Sequence, residues 1–423
     1  MQPGDSLAII AAIYGLPVSV LIRANSLINP DYLEVGQSIT IPALDPSMQP
    51  SPFKILPDSE LIYSPYSAIL DVGRFISRHG GYLSAYTEEV DGIPTSGTDI
   101  LQRIAQEYSV NPRLLLAFLE YQSGWVTHMN PDPVTIDYPM RLQDPARKGL
   151  YYQLAWVANQ VNRGYYMWKA NAISYLVLTD GNLVTMPSEI NAGTAGIQAA
   201  FSTLLDSSAW SLAVSVEGFY ATFIDFFGIP FDYSIEPVIP EGLQQPGFIL
   251  PFEEGVSWSF TGGPHASWGD GSTWGALDFS PPGDLYGCFS SNAWVTAVAD
   301  GIIARSANGE VILDLDGDGL EQTGWVVLYM HIESRDRIPV GTQVKAGDRI
   351  GHASCEGGIS TGTHFHIARR YNGEWIPAAS DMPFDFEGWI AASDGTEYNG
   401  TLTRDGITVT AYEGRFAENQ ISR

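Results

Sequence analysis

The amino-acid sequence predicts a multidomain α+β protein. It has a small helix–helix–strand unit, a mostly α-helical middle domain and a C-terminal domain that is mostly antiparallel all-β. Three observations carry this. The chain has 423 residues, and at about 100–200 residues per domain that is two to four domains. Two proline-rich stretches, 46–66 and 236–247, interrupt it and read as linkers. Between them apolar residues recur at helical spacing. After the second they alternate, or form short runs bounded by Gly and Asp. The expected domains are therefore 1–45, 67–235 and 248–423.

Composition narrows the partners. The formal net charge of −27 repels nucleic acid and anionic membrane surfaces. No apolar run reaches the length of a membrane span. The opening MQPGDSLAII has no basic residues before its apolar ones, so no secretory signal is expected in it. It reads like the interior of a domain whose start has been trimmed. Oligomeric state is not legible.

In the first unit, GDSLAIIAAIYGL has helical spacing with Asp5 or Ser6 as cap. PVSVLIRANSL fits a second short helix, and YLEVGQSITIP alternates toward Pro42 as an edge strand. This order, with GDSL, RAN and VGQSITIP in sequence, resembles a LysM domain, although most of the usual first strand is missing. The resemblance implies a βααβ-type unit that binds glycans containing N-acetylglucosamine, such as peptidoglycan and chitin. It puts the groove between the first helix and the loop before the last strand. Here that means Gly4, Asp5, Ser6, Asn29 and Tyr32, of which Asp5 and Ser6 are as simply read as helix caps.

In the middle domain DILQRIAQEYSV is amphipathic, and Asn111-Pro112 starts the helix RLLLAFLEYQSGWV. LEYQSGW loosely resembles the lysozyme-like transglycosylase helix that ends in Glu-Ser-Gly. Where that family has its acid, this chain has Gln122, which cannot protonate a glycosidic oxygen. Glu120, two positions earlier, faces another side of the helix. The domain is expected to be non-catalytic, a spacer or a glycan-contacting remnant.

Five of the seven histidines fall in the last domain: His265, His331, His352, His364 and His366. In STGTHFHIARR, His364 and His366 share one strand face while Phe365 points to a core. Two adjacent imidazoles on one face make sense if a divalent metal holds them neutral. Catalytic zinc takes three protein ligands and keeps one position open. His366 is one candidate. Asp278, set between Leu277 and Phe279, is another, because a lone buried carboxylate needs a partner. His265, on a Gly-Pro loop, is the third.

THFH, VLYMHI, VKAGDRIGH and the upstream His…Asp pair together resemble the lysostaphin/LytM-type zinc endopeptidases of bacterial cell walls. Most members have His and Asp four apart, but here that position is Trp274. His265 lies thirteen before Asp278, a spacing similar to the β-lytic and staphylolysin-like branch. The resemblance covers roughly 250–380. It implies one zinc ion on His265, Asp278 and His366, with His364 as general base. It also implies that His331 hydrogen-bonds the attacking water or the developing oxyanion. Tyr398 is a candidate oxyanion donor, more simply an ordinary strand tyrosine. His352, His79 and His128 read as structural, and Asp270 as a turn residue.

Two further features are legible. Asp314, Asp316 and Asp318 in DLDGDG are spaced like the start of a calcium-binding loop. Its twelfth position is Trp325 rather than Glu, so a hairpin tip is the simpler account. Cys288 and Cys355 are expected to form one disulfide that anchors the loop before His364, with zinc ligation the rival. The chain is thus expected to be an extracellular or wall-associated hydrolase. A LysM unit would hold it on peptidoglycan while the zinc endopeptidase domain cuts peptide cross-links. The competing expectation is a non-enzymatic wall-binding or regulatory protein. The filling of all five positions favours the enzyme.

Overall fold

The computed structural model describes every residue except 2–4, 28, 31 and 43–50. Gly4 therefore lies outside the described residues. Two compact units are present: Met1–Leu61 with Gly73–Leu101 and Arg113–Ser234, and Ile62–Val72 with Gln102–Pro112 and Ile235–Arg423.

The first unit opens with helix Leu7–Tyr14, capped by Ser6, whose Oγ accepts from the Ile9 N–H, and closed by Gly15 at φ 64°. Helix Val18–Ala24 follows. Leu7, Ala11 and Leu21 form a small core. The strand expected over 32–42 is not a regular ladder among the described residues. At its centre the Met1 amine donates to the Gln37 carbonyl at 2.8 Å and Gly36 N to the Met1 carbonyl at 2.9 Å, and near its end Thr40 N and O are held by the Asn25 side-chain amide at 2.6 and 2.9 Å. The Thr40 backbone is taken up by a side chain rather than by a neighbouring strand, so no ladder forms there.

The linker expected over 46–66 needs correction from residue 51 onward. Ile55, Leu56, Leu61 and Ile62 are fully buried. Ile55 N donates to Thr194 Oγ1 at 2.8 Å, and Asn191 Nδ2 to the Leu56 carbonyl at 2.7 Å. Its prolines bend a packed segment rather than a free one. The helical expectation holds for the middle stretch, whose longest helix is Leu150–Lys169. Glu88 accepts from the first N–H groups of that helix, Leu150 and Tyr151. Among the described residues no single helix is long and apolar enough to cross a membrane.

The second unit is built on an antiparallel sheet. Its strand order is Gln343–Val344, Gly301–Ala307, Glu310–Asp314, Trp325–Met330, Phe365–Tyr371, Ala276–Ser280, Ser257–His265, Gln420–Ser422. One face packs Trp258, Phe260, Phe279, Val311, Val327, Phe365 and Ile367 into the core. The alternation in the Phe365 strand is as expected, since Phe365 and Ile367 join the core cluster while His366 between them lies opposite Asp278. The segments 62–72 and 102–112 also belong to this unit, not to the helical one. Ser109 Oγ donates to the Gly373 carbonyl at 2.7 Å, and Arg370 Nη1 to the Gln106 carbonyl at 3.3 Å. Beneath them lies a buried charged cluster of Arg305, Glu310, Glu321 and Arg370. The second expected linker, 236–247, is likewise packed in part, with Val238 buried and Gln245 Nε2 donating to the Asp385 carbonyl at 2.7 Å.

Candidate metal centre

Three neighbouring strands bring the site together. His366 stands directly opposite Asp278 in the ladder between Phe365–Tyr371 and Ala276–Ser280. His265 ends the next strand, whose register shifts on both sides of Gly262. Such bulges re-aim a side chain. Gly262 is required here, because a Cβ would meet Asp278 Oδ2 at 2.6 Å.

The geometry of the trio fits a divalent cation. His265 Nε2 and His366 Nδ1 are 3.0 Å apart, and Asp278 Oδ1 is 3.2 Å from the first and 3.3 Å from the second. The other ring nitrogens are already engaged. His265 Nδ1 donates to the Gly263 carbonyl at 2.8 Å, and His366 Nε2 to the Ser267 carbonyl at 3.0 Å. A carbonyl can only accept, so in the neutral rings the protons sit on the outer nitrogens. Three lone pairs then face one another across a buried space, and Asp278 Oδ1 has no hydrogen-bond partner. That arrangement repels itself unless positive charge lies between the atoms. Electrostatics agree. Burial opposes a charge on His265, but the adjacent Asp278 carboxylate outweighs it and raises the pKa. Burial likewise opposes charge on Asp278, yet His265 and His364 hold its pKa well below the usual value. Two imidazoles, one carboxylate and outer-carbonyl support are a donor set suited to zinc.

The other two histidines face the trio. His364 Nδ1 donates to the Gly362 carbonyl at 2.7 Å, leaving Nε2 3.8 Å from Asp278 Oδ2. His331 Nδ1 donates to the Glu356 carbonyl at 3.0 Å. The two rings lie 4.5 Å apart between centroids. Burial, then the neighbouring His364 and His366, push the His331 pKa down to about 3. Neutral His331 therefore presents a bare Nε2. It can accept from a water, but it donates to an oxyanion only after gaining a proton, which refines the role expected of it.

The remaining expected residues separate clearly. Tyr398 stacks on the His265 ring at 4.3 Å, half-exposed at the rim. Cys288 and Cys355 form the disulfide, with Cα atoms 5.8 Å apart. His352 is buried on the Ala293 carbonyl and Trp294, and His79 packs on Phe75. Both are structural, as expected. The carboxylates of Asp314, Asp316 and Asp318 do cluster. However, Asp314 accepts from the Asp316 and Gly319 N–H groups, and Asp318 from Leu320 N and Thr323 Oγ1. They order a hairpin tip. In the first unit Asp5 and Ser6 line a cavity of about 370 Å³ with Leu7, Val18, Pro30 and Leu33. Tyr32 is exposed and hydrogen-bonded to the Asn29 carbonyl. In the helical stretch Gln122 is buried, and Glu120 accepts from Val126 N, Thr127 N and Thr127 Oγ1. Sequence reasoning missed the carbonyls of Gly263, Ser267, Glu356 and Gly362, because a backbone acceptor leaves no side-chain signature.

The disulfide ties Cys355 beside Glu356, so it anchors the segment that orients both non-ligand histidines. Reducing it, or replacing both cysteines by serine, is expected to lower turnover about tenfold or more while bound metal stays. Metal analysis beside a peptidase assay checks this, and parallel loss of metal would count against it.

Sheet, trio and facing histidines fit a metallopeptidase domain. Comparison with known proteins agrees: the chain carries a LysM domain at 2–42, a LasA N-terminal domain at 54–238 and a peptidase family M23 domain at 288–377. The last match takes in His331, His364 and His366 but begins after His265 and Asp278, which the sheet brings to the same site. Protease LasA of Pseudomonas aeruginosa is 26% identical over 308 residues, spanning 66% of this chain and 67% of that protein. The beta-lytic metalloendopeptidase of Achromobacter lyticus is 28% identical over 181 residues, 40% of this chain and 44% of that one. A solved structure titled "A Novel M23 Metalloprotease Pseudoalterin from Deep-sea" is 23% identical, with a TM-score of 0.35 over 42% of this chain and 99% of its own.

Proposed function

We propose that this chain is a zinc-dependent endopeptidase that cuts peptide cross-links in peptidoglycan. In this reading it acts outside the cell, with the LysM unit on the glycan. The helical stretch serves as a non-catalytic spacer, since Glu120 is held by three donors and Gln122 is an amide. The observation that carries the reading is the convergence of His265 Nε2, His366 Nδ1 and Asp278 Oδ1 on one buried point.

Zinc held there supplies a Lewis acid for the scissile carbonyl and brings the pKa of a water toward about 7. The chain's own residues do the rest. His364 Nε2 takes the proton of the attacking water and returns it to the leaving amine. His331 Nε2 accepts the second O–H and fixes the water's orientation. The Gly362 and Glu356 carbonyls hold both imidazoles with their lone pairs inward. Tyr398, stacked on the His265 ring, is the candidate hydroxyl donor to the developing oxyanion. The LysM unit raises the local concentration of the peptidase at the wall.

The test is metal analysis with turbidity clearing of purified walls, comparing the intact chain with His364→Ala. Expected are about one zinc per chain in both and a loss of clearing of about 10²–10⁴-fold in the variant. Full clearing by the variant would remove His364 as the base. Zinc without clearing by the intact chain would favour a regulatory wall-binding protein.

A further inference from the structure

His331 occupies a backbone conformation that side chains other than glycine rarely adopt, with φ 64°. Strain of that kind persists only where the surroundings over-determine it. The surroundings here are one short segment, 354–356. Ser354 N donates to the His331 carbonyl at 2.7 Å, and Ser354 Oγ to the same oxygen at 2.9 Å. Glu356 N donates to Ser354 Oγ at 3.0 Å. The Glu356 carbonyl takes the His331 Nδ1 proton. Its carboxylate reaches past the histidine to the turn that follows, accepting from Ser334 N at 2.8 Å and Ser334 Oγ at 2.9 Å. Arg337 lies 3.7 Å from the same carboxylate. Gly309 lets this segment come close, because a Cβ there would meet the Glu356 carbonyl oxygen at 2.5 Å.

Glu356 thus grips both ends of the His331 turn, by its carbonyl at the imidazole and by its carboxylate three residues on. We propose that Glu356 is a positioning residue for the reaction, which through Ser334 holds the His331 ring in its Nδ1–H form with Nε2 aimed at the trio. It touches no substrate and no metal ligand. Its carboxylate is about two-fifths exposed, at 39%, so a bond to Ser334 made only for general stability would gain little. Without the carboxylate, the carbonyl can drift from Nδ1. The proton is then free to move to Nε2, where it blocks the acceptor. The inference rests on His331 taking part in hydrolysis as proposed above.

Three variants test it: Glu356→Ala, Glu356→Gln, which keeps an acceptor for Ser334, and Ser334→Ala. The readouts are kcat and KM on a soluble cross-link peptide, zinc content, and the ring-nitrogen NMR signals of His331 in ¹⁵N-labelled protein. Expected for Glu356→Ala is a kcat lower by about tenfold to a hundredfold, with KM and zinc unchanged and the His331 signals moved toward a mixture of the two neutral forms. Glu356→Gln should recover most of both. Ser334→Ala should fall between, and it carries the test if Glu356→Ala fails to fold. Wild-type kcat with an unchanged His331 signal in Glu356→Ala would overturn the proposal. So would a loss of kcat and zinc together. If the intact chain binds zinc but cuts no peptide, the proposed function fails, while the tautomer signals still decide whether Glu356 sets the ring.

Discussion

Replacing Asp278 by asparagine is expected to abolish metal binding and hydrolysis while leaving the fold intact. The carboxylate faces two imidazole nitrogens at 3.2 and 3.3 Å, both with their lone pairs inward. An asparagine in the same rotamer would put its Nδ2 hydrogens against those lone pairs. Each buried acceptor would then have a donor, and the space meant for a cation would be closed by neutral hydrogen bonds. Losing a charged ligand is worth several kcal/mol to a bound ion. At about 1.4 kcal/mol per factor of ten, activity should drop at least about a thousandfold. The metal-free variant should also keep a cooperative melting transition, because neutral hydrogen bonds to His265 and His366 take the place of the carboxylate's attraction for them. Calorimetry on both metal-free proteins and zinc titration check the two halves separately. A variant that keeps tight zinc binding would show that Asp278 is not a ligand. A variant that melts well below the parent would show that the carboxylate is needed for folding.

The second large effect is on stability. Phe365→Ala should destabilise the β unit by about 3–5 kcal/mol. The side chain is fully buried and meets Trp258 edge-on at 5.2 Å and Phe279 at 5.6 Å, with Phe279 opposite it in the ladder. At 2–4 °C per kcal/mol for a unit of this size, the melting transition should move down by roughly 10 °C. The effect should reach the site, because His364 and His366 flank Phe365 on the same strand. Zinc affinity of the folded variant is expected to weaken, which competition with a chelator would measure. A shift of only a degree or two would mean that the neighbours collapse into the gap.

The alternation of His364, Phe365 and His366 was legible because strand geometry has a period of two, so one glance separates site from core. Asp278 was legible because a carboxylate between Leu277 and Phe279 has no business there without a partner. The convergence of His265 with His366, 101 positions apart, was legible only through resemblance, since no local pattern encodes so distant a contact. The tautomers were hidden, because they depend on the carbonyls of Gly263, Ser267, Glu356 and Gly362. Glu356 was hidden for a related reason: it acts through a turn twenty-two residues earlier, at Ser334. The segment after residue 50 misled in the other direction. Its prolines suggested a free tether, but Ile55, Leu56, Leu61 and Ile62 supply enough apolar surface to pack it down. In DLDGDG the three acids cluster as their spacing suggested, and their N–H partners also order a hairpin tip.

The three ligand atoms come one each from Ser257–His265, Ala276–Ser280 and Phe365–Tyr371, which lie side by side in the sheet. An ion held there would act as a cross-stitch over three strands, binding only when they are aligned. By mass action it shields the folded chain by about 4 kcal/mol at a thousand times its dissociation constant. On the proposed zinc assignment, the surrounding concentration of free zinc is expected to set how long the molecule survives digestion by other proteases, as well as whether it can cut.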